Sequence, residues 1–222
     1  MKESLKMDQQ RIIDLQTSYD RVAKEYVERI FNELEGKPLD RQLLDRFAES
    51  VEGRVCDLGC GPGQVARYLQ GRGVEVCGID LSPGMVEQAR RLNPGIEFTP
   101  GNLLSLEVAD EAWGGVAAFY SIIHLPRAEV VLALREVRRV LRPGGVLLLA
   151  FHIGEETVHL DEWWGERVAV DFTFFRPDEM EGYLTAAGFE IEEVIERAPY
   201  EHVEHPSRRA YIFAHKPKPR GD

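Results

Sequence analysis

Through the middle of the chain, short apolar runs rich in valine, isoleucine and leucine alternate with segments of helical periodicity. The runs are "RVCDL", "VEVCGID", "GIEFTP", "GGVAAFYSII" and "GGVLLLAFHI", and between them lie the helical stretches Gln64 to Gly71, Pro83 to Leu92 and Arg127 to Leu141. Parallel neighbouring strands need a long crossover, which a strand–helix–strand repeat supplies with one handedness. The fold class that follows is α/β: a doubly wound sheet, mostly parallel, with helices on both faces. Beyond the fifth run, Pro177 to Ala187 is a helix opened by Pro-Asp-Glu, and "FEIEEVIER" and "RRAYIFAHK" are two further strands joined by "APYEHVEHPS". These bring the sheet to seven strands and close it as a hairpin with an antiparallel last strand.

Two amphipathic helices precede the alternation. Ile12, Leu15, Tyr19, Val22, Ala23, Tyr26, Val27, Ile30 and Phe31 recur at three- and four-residue steps between Asp8 and Leu34, with a break admissible near Thr17 and Ser18. Leu39 to Ser50 forms the second helix, with Leu43, Leu44 and Phe47 on one face. Residues 1–50 read as a helical cap on a main domain at 51–222. Within that domain, about 153–171 is too long for an ordinary strand-to-helix turn and reads as a lid-like insertion.

The length of 222 residues suits one core. A formal net charge of −11 opposes binding to a polyphosphate, so no nucleic-acid partner is expected and a small molecule is. "MKESLKMDQQ" lacks an apolar leader core and no run is long enough to span a bilayer, so the expectation is a cytoplasmic monomer or homodimer with no membrane partner. Cys56, Cys60 and Cys77 lie in or beside apolar runs and read as reduced thiols. The tail "HKPKPRGD" reads as a solvated end.

The stretch "VCDLGCGPGQVARYL" carries the chemistry. In an open α/β sheet the ligand sits beyond the carboxyl ends of the strands, and Gly59, Gly61 and Gly63 follow the first strand there, just after Asp57. Glycines let the backbone approach a ligand, and the next helix presents free N–H groups. The dinucleotide fingerprint is G-x-G-x-x-G, whereas the spacing here is G-x-G-x-G. "VEVCGID" then ends in Asp80, roughly 20 residues on, where a carboxylate accepts both hydroxyls of an unphosphorylated ribose.

In these two motifs the sequence resembles the class I S-adenosylmethionine-dependent methyltransferases of small-molecule type. "DLGCGPG" is similar to the family's first motif and "GIDLSPGMVEQAR" to its second; "LREVRRVLRPGGVLLLA" and "FRPDEMEGYLTAAGFEIEE" are similar to later segments. The resemblance implies a Rossmann-like sheet, S-adenosylmethionine as cofactor and S-adenosylhomocysteine as product. It puts Gly59, Cys60 and Gly61 beside the methionine end, with Asp57 holding the ammonium directly or through water. Asp80 would bind the ribose and Leu81 would pack on the adenine, with Met85 touching the ring or, as a methionine on a helix more often is, part of the core. At the end of the third strand "PGNLLSL" carries Asn102 where the family often has an acid, so its amide oxygen would accept from the adenine amino group, with Leu103 and Leu104 beside the ring. Tyr120 and Ser121 would line the cofactor channel, and the first helix would close over it, with Tyr19 reaching the methionine carboxylate or the substrate and Tyr26, on the same face, lining the cofactor or simply packing with the apolar stripe.

Methyl transfer is an in-line displacement, and acid–base help matters only for a nucleophile that arrives protonated. His124, after the fourth strand, and His152, ending the fifth, are the candidate bases, each with a plain strand-end role as the alternative. His159, Trp163 and Trp164 wall a substrate or form the insertion's own core. Glu155, Glu156, Asp161 and Glu162 attract a cationic amine or form a solvated face. His202 and His205 in "HVEH" are too loosely spaced for a metal pair, and no metal is assigned. The leading expectation is methyl transfer to an oxygen or nitrogen of a small molecule. Alternatives are a non-catalytic S-adenosylmethionine-binding protein and an NAD-dependent oxidoreductase.

Overall fold

The structure, a computed structural model, describes residues 2–219; the last three residues of the tail read as a solvated end lie outside them. The chain opens with α1 (Lys2–Ile30), a 3₁₀ turn over Glu33–Gly36 and α2 (Pro38–Ser50). The alternating part follows as β1 (Val55–Leu58), α3 (Gln64–Gly71), β2 (Val76–Asp80), α4 (Pro83–Leu92), β3 (Glu97–Pro100), β4 (Trp113–Phe119), α5 (Arg127–Val140) and β5 (Leu141–His152). A hairpin, β6 (Thr157–Trp163) and β7 (Glu166–Thr173), precedes α6 (Pro177–Ala187), β8 (Glu190–Arg197) and β9 (Arg209–His215).

Seven strands form one sheet in the order β3-β2-β1-β4-β5-β9-β8, in which β9 runs antiparallel to both neighbours and every other neighbouring pair is parallel. This is the Rossmann-like arrangement the alternation predicts, and the winding reverses between β1 and β4, where such sheets leave a crevice. The inner strands are buried on both faces, and the edge strands β3 and β8 are largely exposed. Along β5, Val146, Leu148 and Ala150 pack with α2 and α3, while Leu147, Leu149 and Phe151 pack with α5 and α6.

Helix α1 runs unbroken past Thr17 and Ser18. The Ser18 hydroxyl donates to the Asp14 carbonyl one turn back (2.6 Å) and accepts from the Ala169 N–H of β7 (2.8 Å), so a residue that tends to interrupt a helix here fastens the helix to the hairpin. Asp20 fastens α1 to the sheet: one carboxylate oxygen accepts from the Ser82 hydroxyl (2.5 Å) and the Gly84 N–H (2.7 Å) at the start of α4, where a helix favours negative charge. Val22 and Ala23 of α1, Met85 of α4 and Val168 and Val170 of β7 make a separate small core. The expected insertion is therefore a hairpin held under α1 above the carboxyl ends of the strands. Among the described residues no helix is long and apolar enough to cross a membrane.

Candidate active site

The turn after β1 is built for close approach. Gly59, Gly61 and Gly63 have φ of +75°, +51° and +85°, a region costly for residues with a Cβ. The Gly59 and Cys60 N–H groups both donate to the Ile79 carbonyl of β2 (2.7 and 3.0 Å), and the Gly61 N–H donates to an Asp80 oxygen (2.8 Å). The other Asp80 oxygen accepts from the Ser82 N–H (2.8 Å), so one carboxylate ties the glycine loop to the start of α4. Burial, with Asp20 nearby, raises Asp80 to about 6 against the pull of these two N–H groups. Asp57 reaches behind the loop and caps α3, accepting from the Ala66 N–H (2.9 Å); burial lifts its carboxyl to about 8.

A Cβ on Gly59 would lie 2.2 Å from the Ser121 Cβ. Gly59→Ala is expected to cost about 2–4 kcal/mol, the sum of left-handed strain and overpacking. Gly71→Ala is its control, because nothing lies within 4 Å of the added atom. Urea unfolding of the two variants checks this; equal midpoints would show that the loop yields.

The residues assigned to the cofactor and to proton transfer line one cavity of about 410 Å³, within the usual range for small-ligand sites. Tyr19 and Tyr26 descend from α1; Asp57 comes from β1 and Gly59, Cys60 and Gly61 from the loop after it, Asp80 from the end of β2, Leu81 from the turn that follows and Met85 from α4. Asn102, Leu103 and Leu104 follow β3, Tyr120, Ser121 and His124 follow β4, and His152 ends β5. The structure adds detail at two positions. The Asn102 amide oxygen already accepts from the Leu104 N–H (2.9 Å) and closes its own turn. Met85 is 1% exposed and packs in the small core under α1 while it borders the cavity.

Tyr120 has φ +58°, a strained conformation at the point where β4 leaves the sheet. The chain then makes a 3₁₀ turn over Ile122–His124 that carries His124 under α1. His124 Nδ1 lies 3.1 Å from the Asp171 carbonyl oxygen of β7, which can only accept; Nδ1 therefore holds the proton. Nε2 is then a bare acceptor, and the Tyr19 hydroxyl donates to it at 2.8 Å. Burial lowers His124 to about 4, so the ring is neutral at pH 7. In the hairpin, Phe172 packs at a tilt against His124 and Trp163 packs edge-on against Tyr19.

His152 sits on a different wall. Its ring lies between Tyr120 and Phe174, with centroids 5.0 Å from each, and Nδ1 meets the Ser207 hydroxyl at 2.8 Å. Burial lowers it to about 3, reinforced by Arg209, His205 and Lys37. Ser121 Oγ and Gln64 Oε1 are buried beside the glycine loop with no hydrogen-bond partner among the described residues.

Of the insertion's candidates, Trp163 lines the cavity and His159 is exposed, paired with Asp171. His205 borders the cavity and His202 does not. Among the described residues no group of three His, Cys, Asp or Glu is placed to hold a metal. Sequence reasoning missed Lys37, Glu204 and Arg209, which close the cavity beyond His152. The one trace was "HVEH", read for its histidines when its glutamate is the ion-paired residue.

Residues 55–145 match the family described as a methyltransferase domain. A malonyl-[acyl-carrier protein] O-methyltransferase of Enterobacter lignolyticus is 30% identical over 151 residues, 66% of this chain and 57% of that protein. A demethylmenaquinone methyltransferase of Beutenbergia cavernae is 32% identical over 141 residues, 62% of this chain and 57% of that protein. The chain thus spans little more than half the length of these curated relatives. Among solved structures, DhpI in complex with SAH is 25% identical with a TM-score of 0.73, covering 94% of this chain and 98% of that one.

Proposed function

We propose, from a chain that belongs to the class I S-adenosylmethionine-dependent methyltransferases, that it transfers a methyl group from S-adenosylmethionine to an oxygen or nitrogen of a small molecule and releases S-adenosylhomocysteine. The observation that carries the reading is the meeting, in one cavity, of the loop clamped by Asp80 with the Tyr19–His124 pair. The residues present fit the cofactor. Ser121 Oγ and Gln64 Oε1 are orphaned polar atoms where an amino-acid end would bring donors and acceptors, and a second lone pair on each Asp80 oxygen is open to a ribose hydroxyl. When bound, the sulfonium supplies an electrophilic methyl group and takes the electron pair of the breaking C–S bond.

The chain's own work is to align and to accept a proton. Residues 1–50 act as a cap and the hairpin as a wall over the acceptor, keeping water from the reacting centre. Tyr19 and His124 take the proton of an acceptor hydroxyl or ammonium: it passes to the Tyr19 oxygen as the Tyr19 proton moves to His124 Nε2. The far wall, with His152 between two aromatic rings, holds the acceptor in place.

Calorimetric titration tests the reading. S-adenosylmethionine and S-adenosylhomocysteine should bind and NAD should not; binding of NAD alone would overturn it. The same titration reads Asp57. With its carboxyl at about 8, Asp57 is mostly protonated at pH 7, and an arriving ammonium stabilises the ionised form. Binding of S-adenosylhomocysteine at pH 7 should therefore release a large part of a proton, and affinity should rise with pH from 6 to 8. 5′-Methylthioadenosine, which lacks the ammonium and reaches only Asp80, should release far less. Titration in buffers of different ionisation enthalpy measures the difference, and equal release by both ligands would separate Asp57 from the ammonium.

A further inference from the structure

Beyond His152 lies a cluster of three buried cations, Arg197 behind the wall and Lys37 and Arg209 bordering the cavity, and only two of the three have a carboxylate in good geometry. Arg197 is saturated: Nε donates to Tyr211, Nη2 to Asp40 (2.9 Å), and Nη1 and Nη2 to both oxygens of Glu204. Glu204 also accepts from the Tyr200 N–H. Lys37 is paired with Glu33 (2.5 Å) and reaches Glu204 only at 3.4 Å. Arg209 is 2% exposed, and its Nη1 donates to the main-chain carbonyls of His205 and Ser207. Its Nε lies 3.1 Å from Glu204 but out of line for a hydrogen bond and is buried without a partner, and the hydrogen bonds it makes among the described residues all come from Nη1. A buried guanidinium with unfilled N–H groups is costly unless something completes it.

Arg209 borders the cavity and stands opposite His152 across the β5–β9 pairing, so the two side chains lie side by side. Its guanidinium carbon is 5.9 Å from the Tyr120 ring centre. In sheet order it is three strands from the glycine loop, on the order of 14 Å at ordinary strand spacing, and lies on the side away from Asp80. A guanidinium fork matches a carboxylate in width and charge, and the stacked rings of Tyr120, His152 and Phe174 give an aromatic wall next to it.

We propose that Arg209 is the anchor for a carboxylate on the methyl-accepting substrate, a planar aromatic acid whose ring lies along the Tyr120–His152–Phe174 wall. This rests on the methyl-transfer reading above, and it makes the carboxylate a recognition handle, held away from the reacting methyl group.

The test uses the whole protein saturated with S-adenosylhomocysteine and titrated with benzoate and with benzamide, which differ in charge and hardly in shape. Benzoate should bind at least tenfold more tightly, and Arg209→Gln should abolish the difference while S-adenosylhomocysteine affinity changes less than twofold. The wild-type comparison stands even if the variant does not fold. Equal binding of the two probes, or binding of neither, overturns the proposal. So does a tenfold loss of S-adenosylhomocysteine affinity in Arg209→Gln with 5′-methylthioadenosine unaffected, which would assign the site to the cofactor's own carboxylate. Failure of the methyl-transfer reading is separately visible as failure of S-adenosylhomocysteine to bind, and the benzoate comparison can then be made on the ligand-free protein.

Discussion

Replacing Asp80 with alanine should weaken S-adenosylhomocysteine binding by about two to three orders of magnitude. The carboxylate has two tasks in one place. It holds the Gly61 and Ser82 N–H groups at 2.8 Å each, which fixes the glycine loop against the start of α4, and its remaining lone pairs face the cavity. Hydrogen bonds to a charged group contribute about 1.5–3 kcal/mol each, and losing two ribose hydroxyl contacts at the low end of that range is about 3–4 kcal/mol. At tenfold per 1.4 kcal/mol this gives the stated loss before any loosening of the loop is added.

Two comparisons separate the tasks. Asp80→Asn keeps one acceptor oxygen, so it should fall between alanine and the native protein. 5′-Methylthioadenosine should lose affinity with Asp80→Ala as steeply as S-adenosylhomocysteine does, because both carry the ribose. Asp57→Asn should penalise S-adenosylhomocysteine alone. Isothermal titration of the three proteins with both ligands gives the pattern, and unchanged affinity in Asp80→Ala would show that "GIDLSPG" has been misread.

What was legible in the sequence was whatever depends on local periodicity and short spacing. The βα alternation specifies the sheet because each buried strand must be apolar on both faces, as Val146 to Phe151 are. Gly59, Gly61 and Asp80 declare themselves because backbone approach and a strand-end carboxylate leave a signature within some 20 residues. The other end of the cavity left no such signature. Lys37 starts α2, Glu204 lies in the loop before β9 and Arg209 opens β9; sequence spacing says nothing of their meeting, which comes from β9 inserting between β5 and β8. The protonation of His124 was equally invisible, since it is dictated by the carbonyl of Asp171, 47 residues away on a hairpin whose position only the fold supplies. Thr17 and Ser18 misled for a related reason: the Ala169 N–H that gives the Ser18 hydroxyl its use belongs to the same hairpin.

That hairpin also governs the second large effect. With Nδ1 donating to Asp171, His124 presents Nε2 to the Tyr19 hydroxyl, and neither group touches the cofactor-side acids. Removing a positioned general base costs about 10²–10⁴ in rate. His124→Ala should lose turnover by that factor on an acceptor hydroxyl identified by transfer of labelled methyl groups, with S-adenosylhomocysteine affinity nearly intact. If the proton passes through the phenol, Tyr19→Phe should lose about as much, and the double variant little more than either, because two links of one relay fail together. If His124 meets the acceptor directly, Tyr19→Phe should stay near native turnover. The pH profile gives an independent reading. A histidine held near 4 stays basic as pH falls, so turnover should be flat from pH 7 to pH 5, where a solvent-exposed imidazole would already have lost most of its free base. A falling limb centred near pH 6.5 would place the base elsewhere. Equal turnover by His124→Ala would remove the Tyr19–His124 pair from the chemistry and leave it as a clamp between α1, the turn after β4 and the hairpin.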